Sequence, residues 1–341
     1  MDNKITKRRL SDFLSYEWIA IIAVIIAVII VWEIVYTMTG VKLTYGQKFC
    51  ITYDEYVETS YNEDIVQVAY DKKAFSYDVL AINKEGMSAG IDNELSIRYQ
   101  THESDVVIAS AKERKSSDGS SFRRANSIIE NMEVWSYEKA VTDGDAYLSA
   151  FLKDGEVRIQ GYDIDKWYTI GQLDDAKIDA SFIARMKKDN RFRSDSEKER
   201  GKLLERQRIY KICEEVAFAK MLLRDHDYLF HTYTRFEQSY EQSVTIRDNE
   251  LISKYERDLA TVKANNLRLY GKERLSYGIR TDMLEGSSFY SPTDFFTAYG
   301  SKKEVVLMAF DYMKEQPHLQ FESLSFMNTM VRTCSWLGEL S

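Results

Sequence analysis

One long apolar run, Trp18–Tyr36 (WIAIIAVIIAVIIVWEIVY), constrains this chain more than anything else in it. As a helix its nineteen residues reach ~28 Å at ~1.5 Å each, about the hydrocarbon thickness of a bilayer. Apolar side chains would surround that helix with no polar face, which suits lipid better than a globular core. Trp18 at one end, and Trp32 and Tyr36 at the other, stand where interfacial aromatics belong. Glu33, one turn from the outer boundary, reads as a carboxylate wetted by headgroups. A cleaved leader fits less well. The run exceeds the ~7–15 apolar residues of a signal peptide, and Tyr36-Thr37-Met38-Thr39-Gly40 offers no small-x-small site.

Lys4, Lys7, Arg8 and Arg9 precede the run, whereas only Lys42 and Lys48 follow it before residue 56. The positive-inside rule then makes 1–16 a cytoplasmic tail, 17–38 a single transmembrane helix and the remainder extracellular at the cell membrane. The expected lipid contact is Trp18–Tyr36. The chain's net charge is −8, from 46 Lys+Arg against 54 Asp+Glu, so no overall basic field invites nucleic acid.

The outer portion is expected to be α/β, mixed with α+β, around a helix-rich middle. Short runs rich in Val, Ile, Phe and Tyr predict strands at Lys48–Tyr53, Ile65–Ala69, Phe75–Ile82 and Val106–Ser110. Val106-Val107-Ile108-Ala109 is apolar throughout, as expected of a strand buried on both faces. Residues 112–121 are polar and read as a loop or hinge. Between Gly201 and Gly271 there is neither glycine nor proline, and Ile209, Cys213, Val216 and Lys220 share one helical stripe. The segment Arg185–Lys211 holds eleven Lys/Arg against five Asp/Glu. Its interleaved signs predict a solvated, salt-bridged face with individually dispensable charges; docking on anionic headgroups or wall polymer is the other reading.

Farther on, Ser276–Arg280 reads as a short strand, and Ser291-Pro292-Thr293-Asp294 as a helix start. Ser301-Lys302-Lys303-Glu304 forms a capping-box pattern ahead of Val305–Met313, which favours a helix there. A last helix should run from His318 to about Leu337. The domains so drawn are a first lobe at 42–122, a second, helix-rich lobe at 123–272, and a return to the first lobe at 273–341.

The catalytic scan is negative. The sequence holds no Gly-x-Ser-x-Gly, no phosphate-loop motif, no His-Glu-x-x-His and no Cys-x-x-Cys, so no catalytic residue and no cofactor is assigned. Asp227 and His231 are one helical turn apart but lack a third ligand, so they read as a surface pair and no metal site is assigned. Cys50, Cys213 and Cys334 are too widely spaced for a disulfide framework, and the first two read as small buried hydrophobes. The positive feature is aromatic: 23 Tyr, 16 Phe and 5 Trp, with Tyr53, Trp167 and Tyr277 among those near strand ends or loops, where flat faces can stack on a ligand.

The element order resembles the extracellular solute-binding proteins of ABC importers, with the type 2 periplasmic-binding-protein fold. Phe49-Cys50-Ile51-Thr52-Tyr53 is similar to that family's opening strand, with Asp54-Glu55 as its acidic turn. Ser104-Asp105-Val106-Val107-Ile108-Ala109-Ser110 resembles the strand whose end faces the ligand cleft, and Tyr277-Gly278-Ile279 the strand returning to the first lobe. In place of the released or lipid-anchored form usual in that family, this chain has the apolar span, a layout resembling uncharacterised membrane proteins of Gram-positive bacteria. The resemblance implies a membrane-tethered solute-binding module, a small-molecule ligand and transporter subunits as partners. Tyr53, Ser110 and Tyr277 would line its cleft, and Trp167 joins them as an aromatic candidate. The alternative is a structural or scaffolding ectodomain that meets a partner protein at the cell surface; an enzyme built on scattered carboxylates is the least favoured.

Overall fold

The computed structural model describes residues 18, 22–33, 47–55, 57–59, 65–87, 93–115, 119, 121–186, 189, 191–224, 229–230, 234–280, 296–298 and 304–334. The chain divides into two units, Met1–Thr44 and Tyr45–Ser341. In the first, residues 22–33 form a helix, α1, whose apolar side chains are exposed, among them Ile22, Val24, Ile25, Val28 and Trp32. No helix among the described residues is long and apolar enough to cross a membrane. Residues 19–21 and 34–36 of the apolar run lie outside them, as do Ser291–Asp294, Asp227 and His231.

The second unit is mixed α/β, built on a five-stranded sheet. Its strands are β1 (Lys48–Tyr53), β3 (Ala81–Gly86), β4 (Val106–Ser110), β7 (Ile279–Arg280) and β9 (Val305–Ala309), in the order β3-β1-β4-β9-β7. β1 runs parallel to both β3 and β4, while β9 lies antiparallel between β4 and β7. Smaller pairings join β2 (Val57–Thr59) to β8 (Phe296–Ala298), and β5 (Glu113–Lys115) to β6 (Ser121–Arg123).

The central strands are apolar along their length because helices cover both faces. On one face Phe49, Ile51, Tyr53, Val106, Ile108, Val305 and Leu307 pack in one cluster with α2 (Ile65–Asp71), α5 (Tyr137–Leu148), α7 (Asp195–Arg224) and α10 (Pro317–Cys334). On the other, Val107, Ala109, Val306 and Met308 pack with α3 (Glu94–Gln100) and α4 (Arg124–Asn131). The segment 123–272 thus supplies α5, α6 (Asp175–Arg185) and α7 to the same cluster as this face of the sheet, and it also holds α8 (Glu237–Ile246) and α9 (Asn249–Tyr270). One of these clusters draws residues from both 42–122 and 123–272.

Several expected elements change type, for reasons visible in the packing. Ile65–Ala69, expected as a strand, is α2, because Ile65, Val68 and Ala69 are buried at helical spacing. Most of the strand expected over Phe75–Ile82 is irregular chain with a turn at Tyr77–Asp78, and β3 begins only at Ala81. Val305–Met313, expected as a helix, opens as β9, whose five residues are all buried because the strand lies between β4 and β7. The polar stretch 112–121 contributes β5 and the start of β6.

The last helix, α10, is buried on every side through its middle, so its polar residues need partners inside the protein. Gln320 Nε2 donates to Phe310 O at 2.7 Å, Ser325 Oγ to Ala74 O at 2.6 Å, and Asn328 Nδ2 to Glu215 Oε2 at 2.8 Å. These bonds tie α10 to the sheet, the α2–β3 loop and α7. Cys50 and Cys213 are buried free thiols, and burial pushes them up to about 12 and about 11, which suits packing rather than nucleophilic chemistry.

Arg185–Lys211 is salt-bridged as expected, but its charges are not all solvated. Arg185 and Arg191 both reach the buried Asp78, at 2.8 and 3.0 Å. Arg208, itself buried, pairs with buried Glu205 at 2.7 Å. Here the basic segment closes against the α2–β3 loop.

Candidate functional site

In the order β3-β1-β4 the chain leaves β1 toward one side and then toward the other. Open α/β sheets bind ligands beyond the carboxyl ends of the strands at such a switch point, here between β1 and β4. β1 ends at Tyr53, with Asp54 next in the chain, and β4 at Ser110, with Ala111 next. Alternation along the strands sorts these residues. Tyr53 lies in the α5/α7/α10 cluster, and Ser110 shares its parity with Val106 and Ile108. Asp54 reaches α4 on the other side.

Asp54 is buried, and its backbone N–H continues the ladder by donating to Ile108 O at 2.9 Å. Arg124 Nε, from the first turn of α4, donates to Asp54 Oδ1 at 3.0 Å, while Oδ2 has no hydrogen-bond partner. Burial pushes this carboxyl above its ordinary range, and the Arg124 charge pulls against that shift. Neighbouring Thr52 Oγ1 is also buried and unpartnered.

On α4's side of the sheet, at the carboxyl ends of β4 and β7, lies a cavity of about 330 Å³. Cross-strand register brings its parts together: Ala109, Val306 and Arg280 stand level on β4, β9 and β7. Its wall carries Arg123, Arg274 and Arg280 beside Glu237, Glu241 and Glu304, with Phe230 and Val306 as apolar floor. Arg274 pairs with Glu237 at 2.5 Å, and Arg123 with Glu113 at 3.6 Å. Asn126 completes the wall; it is 1% exposed, and its Oδ1 has no partner. Glu304 adopts φ +69°, a conformation rare for a side-chain-bearing residue, and its carbonyl accepts from Ala111 N at 2.7 Å.

The sequence candidates fall in three places. Tyr53 and Ser110 come together at adjacent strand ends, both buried, on the face opposite the cavity. Tyr277 is buried before β7, at that strand's amino end, and packs in the α4-side cluster. Trp167 is 44% exposed and lines a separate surface groove of about 600 Å³, with the Arg224 guanidinium 5.3 Å from its ring centre. The charged residues of the cavity went unassigned because they span positions 123 to 304 and share no local motif. Asp54, by contrast, is the first residue of the acidic turn singled out above.

Among the described residues no group of three or more His, Cys, Asp or Glu is placed to hold a metal ion. The buried acid Asp105, pushed up to about 7 chiefly by desolvation, sits at the amino edge of β4, away from the cavity, and accepts from Cys50 N at 2.7 Å. No family model, curated protein or solved structure matches the chain.

Proposed function

We propose that this protein is a solute-binding module tethered to the outer face of a cell membrane by Trp18–Tyr36, serving a transporter. The observation that carries the binding part is the cavity at the carboxyl ends of β4 and β7. It adjoins the sheet's switch point, its volume lies at the small end of the usual ligand-pocket range, and buried polar groups line it. The resemblance to solute-binding proteins of ABC importers points the same way, although the cavity is walled by charge rather than by tyrosine. What supports the tether is the apolar run itself, the Lys/Arg asymmetry about it and the exposed apolar surface of α1.

Binding is tested by thermal stabilisation of the full chain in mild detergent across amino acids, peptides, sugars and ions. Occupancy at a hundred times the dissociation constant stabilises a fold by ~2.7 kcal/mol, which a melting curve registers. A chain that no compound stabilises is not a solute-binding module. For the tether, protease added to intact cells should digest residues 45–341 and spare the tail; the reverse pattern overturns the orientation.

A second reading, a scaffold that docks a partner protein, draws on α9. Of its 22 residues only Leu259 and Asn266 are buried, and Leu267 and Leu269 are 54% and 49% exposed. A photo-crosslinker placed at Leu267 in cells should capture a defined adduct if this face docks a partner; its absence discards the scaffold.

A further inference from the structure

We infer that the cavity takes a short peptide, held through its backbone by the side-chain amide of Asn126. The inference rests on the solute-binding reading and deepens it. Other buried side-chain amides of the fold spend both of their ends. Gln238 Oε1 accepts from Arg123 N at 2.6 Å, and its Nε2 donates to Ser127 Oγ at 2.9 Å. Gln320 accepts from Tyr312 N and donates to Phe310 O, and Asn328 accepts from Tyr137 Oη and donates to Glu215. Asn126, the neighbour of Ser127, is buried as deeply, at 1% exposed. Yet neither its Oδ1 nor its Nδ2 meets a partner among the described residues. Leaving such a group unpaired costs stability, and asparagine is a poor residue within a helix. Ala125, Ile128 and Ile129, beside it on α4, pack on the sheet as apolar side chains. The fold makes no use of this amide, and the residue lines the cavity.

A side-chain amide presents a donor and an acceptor side by side, so its complement carries an acceptor beside a donor. The C=O and N–H of one residue in an extended peptide point the same way and offer that pair. Asn126 Oδ1 would accept the N–H while Nδ2 donates to the C=O. Such bonds read backbone and leave the ligand's side chain at that point free to vary. Arg274 and Arg123 are already engaged with Glu237 and Glu113, so the recognition is assigned to the amide and not to the charges. A sugar or nucleobase would want a flat aromatic platform, and Phe230, which lines the cavity, is only 9% exposed. A space of about 330 Å³ suits a few residues of peptide and excludes a folded chain.

The test follows melting of the full chain in detergent with a mixed set of tripeptides, beside free amino acids, sugars and nucleosides. At least one tripeptide should raise the midpoint. Its analogue with an ester or an N-methyl amide at the bound residue lacks the N–H and should bind at least about tenfold more weakly. Asn126→Leu should abolish the shift yet leave the unliganded midpoint level or higher, because it removes a buried amide that the fold does not bond. Should the variant lose its fold, the backbone analogues decide on the unmodified protein. Tripeptides that bind equally well with each backbone N–H replaced overturn the inference. So does binding that survives Asn126→Leu, or binding confined to sugars, nucleosides or free amino acids. In each of these cases the solute-binding reading survives. No stabilisation by any compound overturns both.

Discussion

Lys220 Nζ donates to both carboxylate oxygens of Asp145, at 3.0 and 2.7 Å, with both side chains closed to water. Lys166 O accepts from the same ammonium, so three acceptors surround it. The pair pins the carboxyl-terminal part of α7 to α5 and to the 160s loop. Burying two ions costs several kcal/mol each, which such a pair recovers only when the geometry is this complete.

Lys220→Met should therefore destabilise the fold by about 3–5 kcal/mol, because it leaves Asp145 buried and uncompensated. Adding Asp145→Leu should return much of that loss. Denaturant midpoints of the single and double variants check this, and losses that simply add would show that the pair is not coupled.

Periodicity made one half of this pair legible and could not show the other. Lys220 lies on the stripe with Ile209, Cys213 and Val216, and all four are buried. Its partner is 75 residues away, and no local pattern links them. The same division holds across the fold. β1 and β4 were legible because a strand buried on both faces must be apolar throughout. β9 obeys the same rule, yet a capping pattern before it favoured helix, and only its place between β4 and β7 makes it a strand. Asp54 was legible as the acidic turn ending β1. Arg123, Asn126, Arg280 and Glu304 meet through strand order and register, which a single sequence does not display.

Asp105 supplies a pH test. Its folded-state value of about 7 lies above the ordinary 3.8, chiefly because burial disfavours the carboxylate. Between those two values the folded state holds a proton that the unfolded state has released, so this group's contribution to stability falls as pH rises from about 4 to 7. Asp105→Asn keeps the bond from Cys50 N–H and removes the titration. Relative to the parent, the variant should gain a few kcal/mol by pH 7.5 and little at pH 4. A difference that stays flat across this range would rule out the proposed titration.

Gly278 sits where β7 meets β9, and an added Cβ would fall 2.4 Å from the backbone oxygen of Leu307. Backbone in a sheet yields less readily than a side-chain end. Gly278→Ala should cost about 2 kcal/mol or more, displace Arg280 two residues on, and weaken any ligand response of the cavity. At Gly171 the added Cβ meets nothing within 4 Å, and Gly171→Ala should be near neutral. Melting curves of the two variants make the comparison; equal midpoints would mean that β7 is not held as described.

The basic segment should prove uneven. Arg191 is one of two cations on buried Asp78, whereas Lys198 and Asp195 form a pair with side chains 43% and 98% exposed. Arg191→Gln should destabilise by about 1–2 kcal/mol, while Lys198→Ala should change stability by less than about 0.5 kcal/mol. Urea titrations at low and high salt separate the two, since screening weakens exposed pairs most. Equal effects would return this whole segment to the solvated face that its sequence suggests.

Arg124 gives the last prediction, because it supplies the cation beside Asp54 at the switch point. The Asp54 side chain is wholly buried and that of Arg124 about one-fifth exposed, so the pair falls between surface and core cases. Arg124→Ala should cost about 2–4 kcal/mol near neutral pH, much of it from leaving the carboxylate uncompensated. The loss should depend on pH with a definite sign. Asp54 already titrates above its ordinary range, and without Arg124 the folded-state value rises further. A raised carboxyl loses stability as pH increases toward its folded-state value, so the deficit should shrink near pH 4.5, where Asp54 can bury its proton, and widen toward pH 8. Asp54→Asn in the same background should remove that slope and recover part of the stability. If the deficit of Arg124→Ala is the same at both pH values, the guanidinium holds α4 by packing alone, and Asp54 does not need its charge.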